Sequence, residues 1–265
     1  MTYDKPTRIP FPSTFDNEGI PYAGIGSREL YEQIKKGNND LLPIKTMMIQ
    51  CAYYMALLGY CLRSGGADGP DEYFELGVDL AIYLHGKGQK EIFLPWKGFR
   101  SNPSHLNGSG YLPEVMKEMI YVASEYHPAW KKEKTKLFKE NPDYKLEEKL
   151  IDLKGQSAYK PLMSRNVLQI RGEKLDKPAK FVLCWTKDGV ISSAERTFKT
   201  GGTGQAIAIA SDLGIQVYNL AREDHFVRIS KAIKGWEEKF GLMPDINALP
   251  YKLEQQPQNS RKMSR

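Results

Sequence analysis

Short apolar runs alternate along this chain with longer segments whose apolar residues recur at helical spacing. IPYAGIGSR (20–28) reads as a strand that ends in a glycine turn. NDLLPIKTMMIQCAYYMALLGY follows, with Met47, Cys51, Tyr54, Met55 and Leu58 on one helical face and Gly59 near the stop. CLRSGG is a second strand running into glycines, and Pro70 suits the first turn of the next helix. That helix puts Phe74, Val78, Ala81 and Ile82 on one face. KEIFLPW is a third strand, closed by Pro95.

Residues 97–112 are polar and rich in Gly, Ser and Asn, the composition of a functional loop or lid. PEVMKEMIYVASEY is helical, and a Lys-rich charged segment follows it. SAYKPLMSRNVLQI is helical beyond Pro161. AKFVLCWT is a fourth strand whose unbroken apolar core predicts burial on both faces. RTFKTGGTGQAIAIASDLGIQVYNL then supplies a glycine turn, a helix with Ala206, Ile209, Ala210 and Leu213 on one side, Gly214 as its stop, and a fifth strand. A last helix carries Phe226, Ile229, Ile233 and Trp236. The alternation predicts an α/β fold: a Rossmann-like, doubly wound, mostly parallel five-stranded sheet with helices on both faces. It implies an extended lead-in over 1–20, one domain over 21–245 with a helical, charged insert at about 97–160, and a flexible basic tail over 246–265.

Composition changes this picture little. The chain has 265 residues, 41% apolar and 26% charged, which suits a globular domain. No apolar run reaches the roughly 20 residues of a membrane span, and the first residues lack the apolar core of a secretory signal. Cys51, Cys61 and Cys184 form no CxxC pair, so a reducing cytoplasm is expected. The net charge of +6 invites a nucleic-acid reading. Much of it, however, sits in the tail, on Lys252, Arg261, Lys262 and Arg265, and the Lys-rich segment is interleaved with acids. A solvated helical face is the preferred reading there.

Parallel sheets bind ligands beyond the carboxyl ends of their strands, where strand order reverses. The segments expected there are GIGSR, RSGGADGPDE, PWKGF, WTKDG and TGGTGQ. In TGGTGQ, Gly201, Gly202 and Gly204 can take positive φ, Thr203 can cap the helix, and Gln205 lies in an acid-free first turn. Free N–H groups and the helix dipole suit a phosphate there; the plainer reading is a turn for close helix–strand packing. No GK[ST] follows, so it is not a Walker loop. In Ser64–Gly65–Gly66 and Asp68, the turn leads into Asp71 and Glu72, which already satisfy the dipole and suit ribose hydroxyls or acid/base work. Asp71 and Glu75 share a helical face. Gly26, Ser27 and Arg28 just beyond the first strand suit a phosphate or base, or merely a tight turn. Arg165 and Asn166 form a polar cluster of undetermined placement, and Thr186 ends the fourth strand. Trp96 and Trp185 end strands and suit base stacking or core packing equally. His85, His105, His127 and His225 show no metal-ligand spacing and read as surface or incidental residues, with His105 in the loop the one worth a test; no metal site is expected.

GIGSR, LRSGGADGPDEYFELG, EIFLPW, FVLCWTKDG and GGTGQAIAIA…GIQVYNL together resemble the SMF/DprA-LOG (SLOG) group of Rossmann-like proteins. They look closest to the DprA-like members of bacteriophages, which would place the chain in the host cytoplasm. The resemblance covers roughly 20–125 and 160–222. It implies a nucleotide-type pocket that takes a small-molecule nucleotide or NAD-derived ligand, with no required cofactor, no membrane partner and a homo-oligomeric state. Three activities follow from it: a receptor or sequestering protein, an N-glycosidic hydrolase of nucleotides like the LOG enzymes, or a single-stranded DNA-binding protein. The LOG signature PGGxGTxxE is incomplete here, with no leading Pro and with Ala206 and Ile207 where acids would be sought. Glu72 or Glu75 would have to replace the missing acid. Binding without turnover is therefore the expected activity, and nucleic acid the less favoured partner.

Overall fold

The five apolar runs become strands β1 (Ile20–Gly26), β2 (Tyr60–Ser64), β3 (Gln89–Ile92), β4 (Phe181–Trp185) and β5 (Gln216–Asn219). In the computed structural model they form one sheet in the order β3-β2-β1-β4-β5, and every neighbouring pair is parallel. This is the Rossmann-like α/β fold expected from the sequence, with strand order reversing between β1 and β4. The structure describes residues 19–108, 110–141, 159–197 and 200–245. The lead-in before residue 19, the charged stretch 142–158 and the tail 246–265 lie outside the described residues.

β4 shows why its run is unbroken. Phe181, Leu183 and Trp185 enter one core cluster, and Val182 and Cys184 enter the other, so the pleat sends each residue to an apolar face. The first face is covered by α1 (Glu29–Lys35), α2 (Leu42–Leu57), α3 (Pro70–His85) and, after β5, α8 (Glu223–Phe240). The second is covered by α4 (Pro113–Tyr126), α5 (Pro128–Glu140), α6 (Tyr159–Arg171) and α7 (Thr203–Asp212). Connections after β1 and β4 therefore leave to opposite faces, which opens a crevice between them. All three cysteines are buried free thiols. Among the described residues no helix is long and apolar enough to cross a membrane.

Three sequence expectations change. α1 has no apolar stripe long enough to announce it; it buries Leu30 alone. Ile82, in the last turn of α3, and Leu213, the residue that caps α7, read as core-facing in the sequence but are exposed. The 97–112 loop does not lie open as a lid. Leu106, Asn107 and Tyr111 are buried, and Asn107 bridges to Leu94 beyond β3.

Candidate functional site

The carboxyl ends of β1 and β4 and the start of α3 meet at Gly26. A Cβ there would lie 2.6 Å from the Pro70 ring and 3.1 Å from the Trp185 carbonyl. The Ser27 amide donates to that same carbonyl at 2.9 Å. GIGSR thus needs its second glycine for close packing of three elements. Ser27 Oγ turns back to accept the Glu29 N–H at 3.2 Å, while Arg28 is exposed.

In the SGGADG turn, Ser64 Oγ donates to the Gly24 carbonyl at 2.7 Å, tying β2 to β1. Gly65 lies beneath Arg165 of α6, and a Cβ would fall 1.2 Å from Arg165 Nη1 and 2.7 Å from Gln169 Nε2. Arg165 Nη1 donates to Asp71 Oδ2 at 3.3 Å, and the Ala67 amide donates to the same oxygen at 3.3 Å. Asp71 is 3% exposed and Arg165 6%. Burial pushes the Asp71 carboxyl above its usual range, and the Arg165 charge and backbone donors pull against that. The expected role of Asp71 toward sugar hydroxyls meets a physical obstacle: its carboxylate is turned inward, holding its own turn. Gly66, at φ +63, packs on Leu94, Ile92 and Asn102. Asp68 is ion-paired with Arg100.

TGGTGQ opens α7 differently from the expectation. Gly202 occupies the N-cap position with no side-chain cap, and Thr203 is the first helical residue. Gly201 sits at φ +68, and Gly201 and Gly202 are exposed. The first turn holds no acid. Gly204 is required for packing, since a Cβ would meet Thr200 at 2.8 Å and Arg196 Nε at 3.1 Å. Thr200 Oγ1 donates to Asp188 Oδ2 at 2.7 Å, so WTKDG anchors the glycine loop, a contact the sequence did not signal. Arg196 donates to the Tyr126 carbonyl at the end of α4. Gln205 is 0% exposed; its Nε2 donates to the Ala123 carbonyl at 2.9 Å and its Oε1 accepts from Asn166 Nδ2 at 3.1 Å.

α6 settles where Arg165 and Asn166 stand. Arg165 lies on Gly65, and Asn166 Nδ2 donates to the Gly202 carbonyl at 3.2 Å. Consecutive residues of one helix thus join the two glycine loops. Among the described residues, Arg165 Nε, Gln169 Nε2 and Ser164 Oγ are buried without a hydrogen-bond partner. Gln169 carried no sequence signal.

The remaining predicted residues stand apart from this junction. Glu75 accepts from Lys90 Nζ at 2.8 Å and from Asn102 Nδ2 at 3.2 Å, on the β3 side. Glu72 is exposed on the first turn of α3. Trp96 is 41% exposed and meets the Phe99 ring edge-on at 5.0 Å. Thr186 is internal: its Oγ1 accepts from Asn219 Nδ2 at 2.7 Å and its amide donates to Asn219 Oδ1 at 3.2 Å. Asn219, missed in the sequence, also donates to the Val190 carbonyl at 2.9 Å. Its own amide donates to His225 Nδ1 at 3.0 Å, so His225 is a buried, neutral ring, where the sequence reads it as a surface or incidental residue. Burial holds its imidazole below the usual 6.5, against the pull of Asp224.

Compared with known proteins, the chain matches no family model, no curated protein and no solved structure.

Proposed function

We propose that the chain binds a phosphate-bearing, nucleotide-derived small molecule at the carboxyl edge of its sheet, as a SLOG-type receptor or sequestering protein. One observation carries this reading: α6 sets a buried guanidinium with an unpartnered Nε against Gly65, and the neighbouring Asn166 against Gly202. A buried Arg165–Asp71 pair whose guanidinium keeps one unpartnered N–H thus sits where two glycine loops converge beside the strand-order reversal, the place at which open parallel sheets take ligands. The exposed Gly201 and Gly202 and the acid-free start of α7 favour an anion at that loop. Binding is favoured over N-glycosidic hydrolysis because Glu75 is engaged by Lys90 and Asn102. No acid opens α7 to take its place.

Thermal shift against AMP, ADP-ribose, cyclic ADP-ribose and cyclic dinucleotides tests the reading. A ligand at one hundred times its Kd stabilises the fold by about 2.7 kcal/mol, so a matching ligand raises the Tm by several degrees. Gly202→Trp should abolish that rise and leave the ligand-free Tm near the parent value. Gly202 has φ −64, and the nearest obstacle to a Cβ is the far end of the Met163 side chain at 2.8 Å, which can turn aside, so the substitution is tolerated by the backbone. No shift with any of these ligands would overturn the reading. Release of free base from AMP, stopped by Glu72→Gln, would establish the hydrolase instead.

A further inference from the structure

A second opening lies at the ends of β4 and β5, and neither the SGGADG nor the TGGTGQ loop lines it. It is a hollow of about 410 Å³ between α1, the start of α2 and the residues just after the two strands. None of the residues expected to hold phosphate or sugar lines it. Its apolar walls come from Leu41, Ile44 and Trp185. Trp185 is 4% exposed and closes the floor from the core, so the partly exposed Leu41 and Ile44 supply the apolar surface open to a ligand.

The polar groups on the hollow select among ligands. Glu29 and Lys187 stand on its lining and pair with each other at 3.0 Å. Each charge is met by the other, which leaves no net charge to hold a phosphate. Gln33 contributes an amide with both a donor and an acceptor end. Asn38 uses Oδ1 to accept the Asp40 N–H at 3.3 Å, which leaves its Nδ2 donor end for a ligand. Apolar walls with a few fixed amides and no net charge suit a planar, neutral, hydrogen-bonding ring system. A lipid chain would leave the amides and the ion pair desolvated without partners.

We propose that this hollow is a separate binding site for a neutral heteroaromatic molecule of nucleobase or nucleoside size, with Gln33 and Asn38 reading its polar edge against the apolar surface of Leu41 and Ile44. The proposal does not rest on phosphate binding at the glycine loops.

Titration calorimetry of the full chain with adenosine, guanosine, cytidine and uridine tests it, since none carries a phosphate. At least one should bind saturably. Ala221→Trp, at an exposed position on the lining, should weaken that binding about tenfold or more by filling the space. Gln33→Trp, on the half-exposed face of α1, is the second filling variant should Ala221→Trp fail to fold. Gln33→Leu should weaken the preferred nucleoside and narrow its margin over the others. Gly202→Trp should leave nucleoside affinity unchanged. Absence of saturable binding by all four, or affinity untouched by the filling variants, overturns the proposal. Loss in Gly202→Trp alone would also overturn it, while locating the nucleoside at the glycine loops.

Discussion

Arg165 and Asp71 carry opposite charges into a place where water is nearly excluded, and each is present because the other is. Removing one partner of a buried pair leaves an uncompensated charge, which costs about 3–5 kcal/mol. Arg165→Met should therefore lower the Tm sharply in a thermal melt. Adding Asp71→Asn should return much of the loss, because the carboxylate left alone by the first change is then gone. Gly65→Ala should resemble Arg165→Met, since its methyl would occupy the guanidinium's place. Gln205 is a second test at this scale. Its two hydrogen bonds join α7 to α4 and α6, and Gln205→Leu removes both, leaving Asn166 Nδ2 its bond to the Gly202 carbonyl. A loss of about 1–3 kcal/mol is expected in denaturant titration. These side chains were legible in the sequence as polar residues near glycines. That they satisfy one another was not, because their partners lie tens of residues away.

α2 and α3 approach so closely that a Cβ on Gly77 would fall 2.2 Å from the Ile49 carbonyl. Gly77→Ala should force the helices apart and destabilise by about 1–3 kcal/mol, the usual cost of overpacking. The ends of β4 and β5 are joined through Asn219, and Asn219 leans on a neutral His225. The folded ring takes up a proton less readily than the unfolded chain does, so the fold's advantage is complete above pH 6.5 and lost as pH falls below it. His127 is shifted in the same direction, by burial first and then by Arg196 and Lys160. Thermal melts between about pH 7.5 and 5 should show Tm falling on the acid side, and His225→Gln should flatten part of that fall. A slope unchanged in this variant would mean the ring is not the titrating group. Helix and strand periods reveal which elements exist; they do not reveal that a turn of α8 inserts its histidine behind β5.

Across the whole molecule, the order β3-β2-β1-β4-β5 sends the chain to opposite faces after β1 and β4, the arrangement in which parallel sheets take ligands at their carboxyl edge. Nucleotide binding that fails in Gly202→Trp, together with nucleoside binding that survives it, would show two sites on one edge. The sequence by itself determined the five strands, the principal helices and their alternation. Apolar period and glycine or proline stops are local properties, and the alternation leaves a parallel sheet as the economical arrangement. It also determined which segments end strands, and hence most of the carboxyl edge. Tertiary structure alone decided the roles within that edge. Asp71, Asn166, Thr186 and Gln205 face inward, Glu75 is spent on Lys90, and Arg165 and Asn166 together join two loops that are far apart along the chain. It alone placed Trp185, α1 and Lys187 around a common hollow. The reason is the same in each case: a side chain's direction and partners depend on long-range packing, whereas the pattern along the chain records only whether a residue favours water.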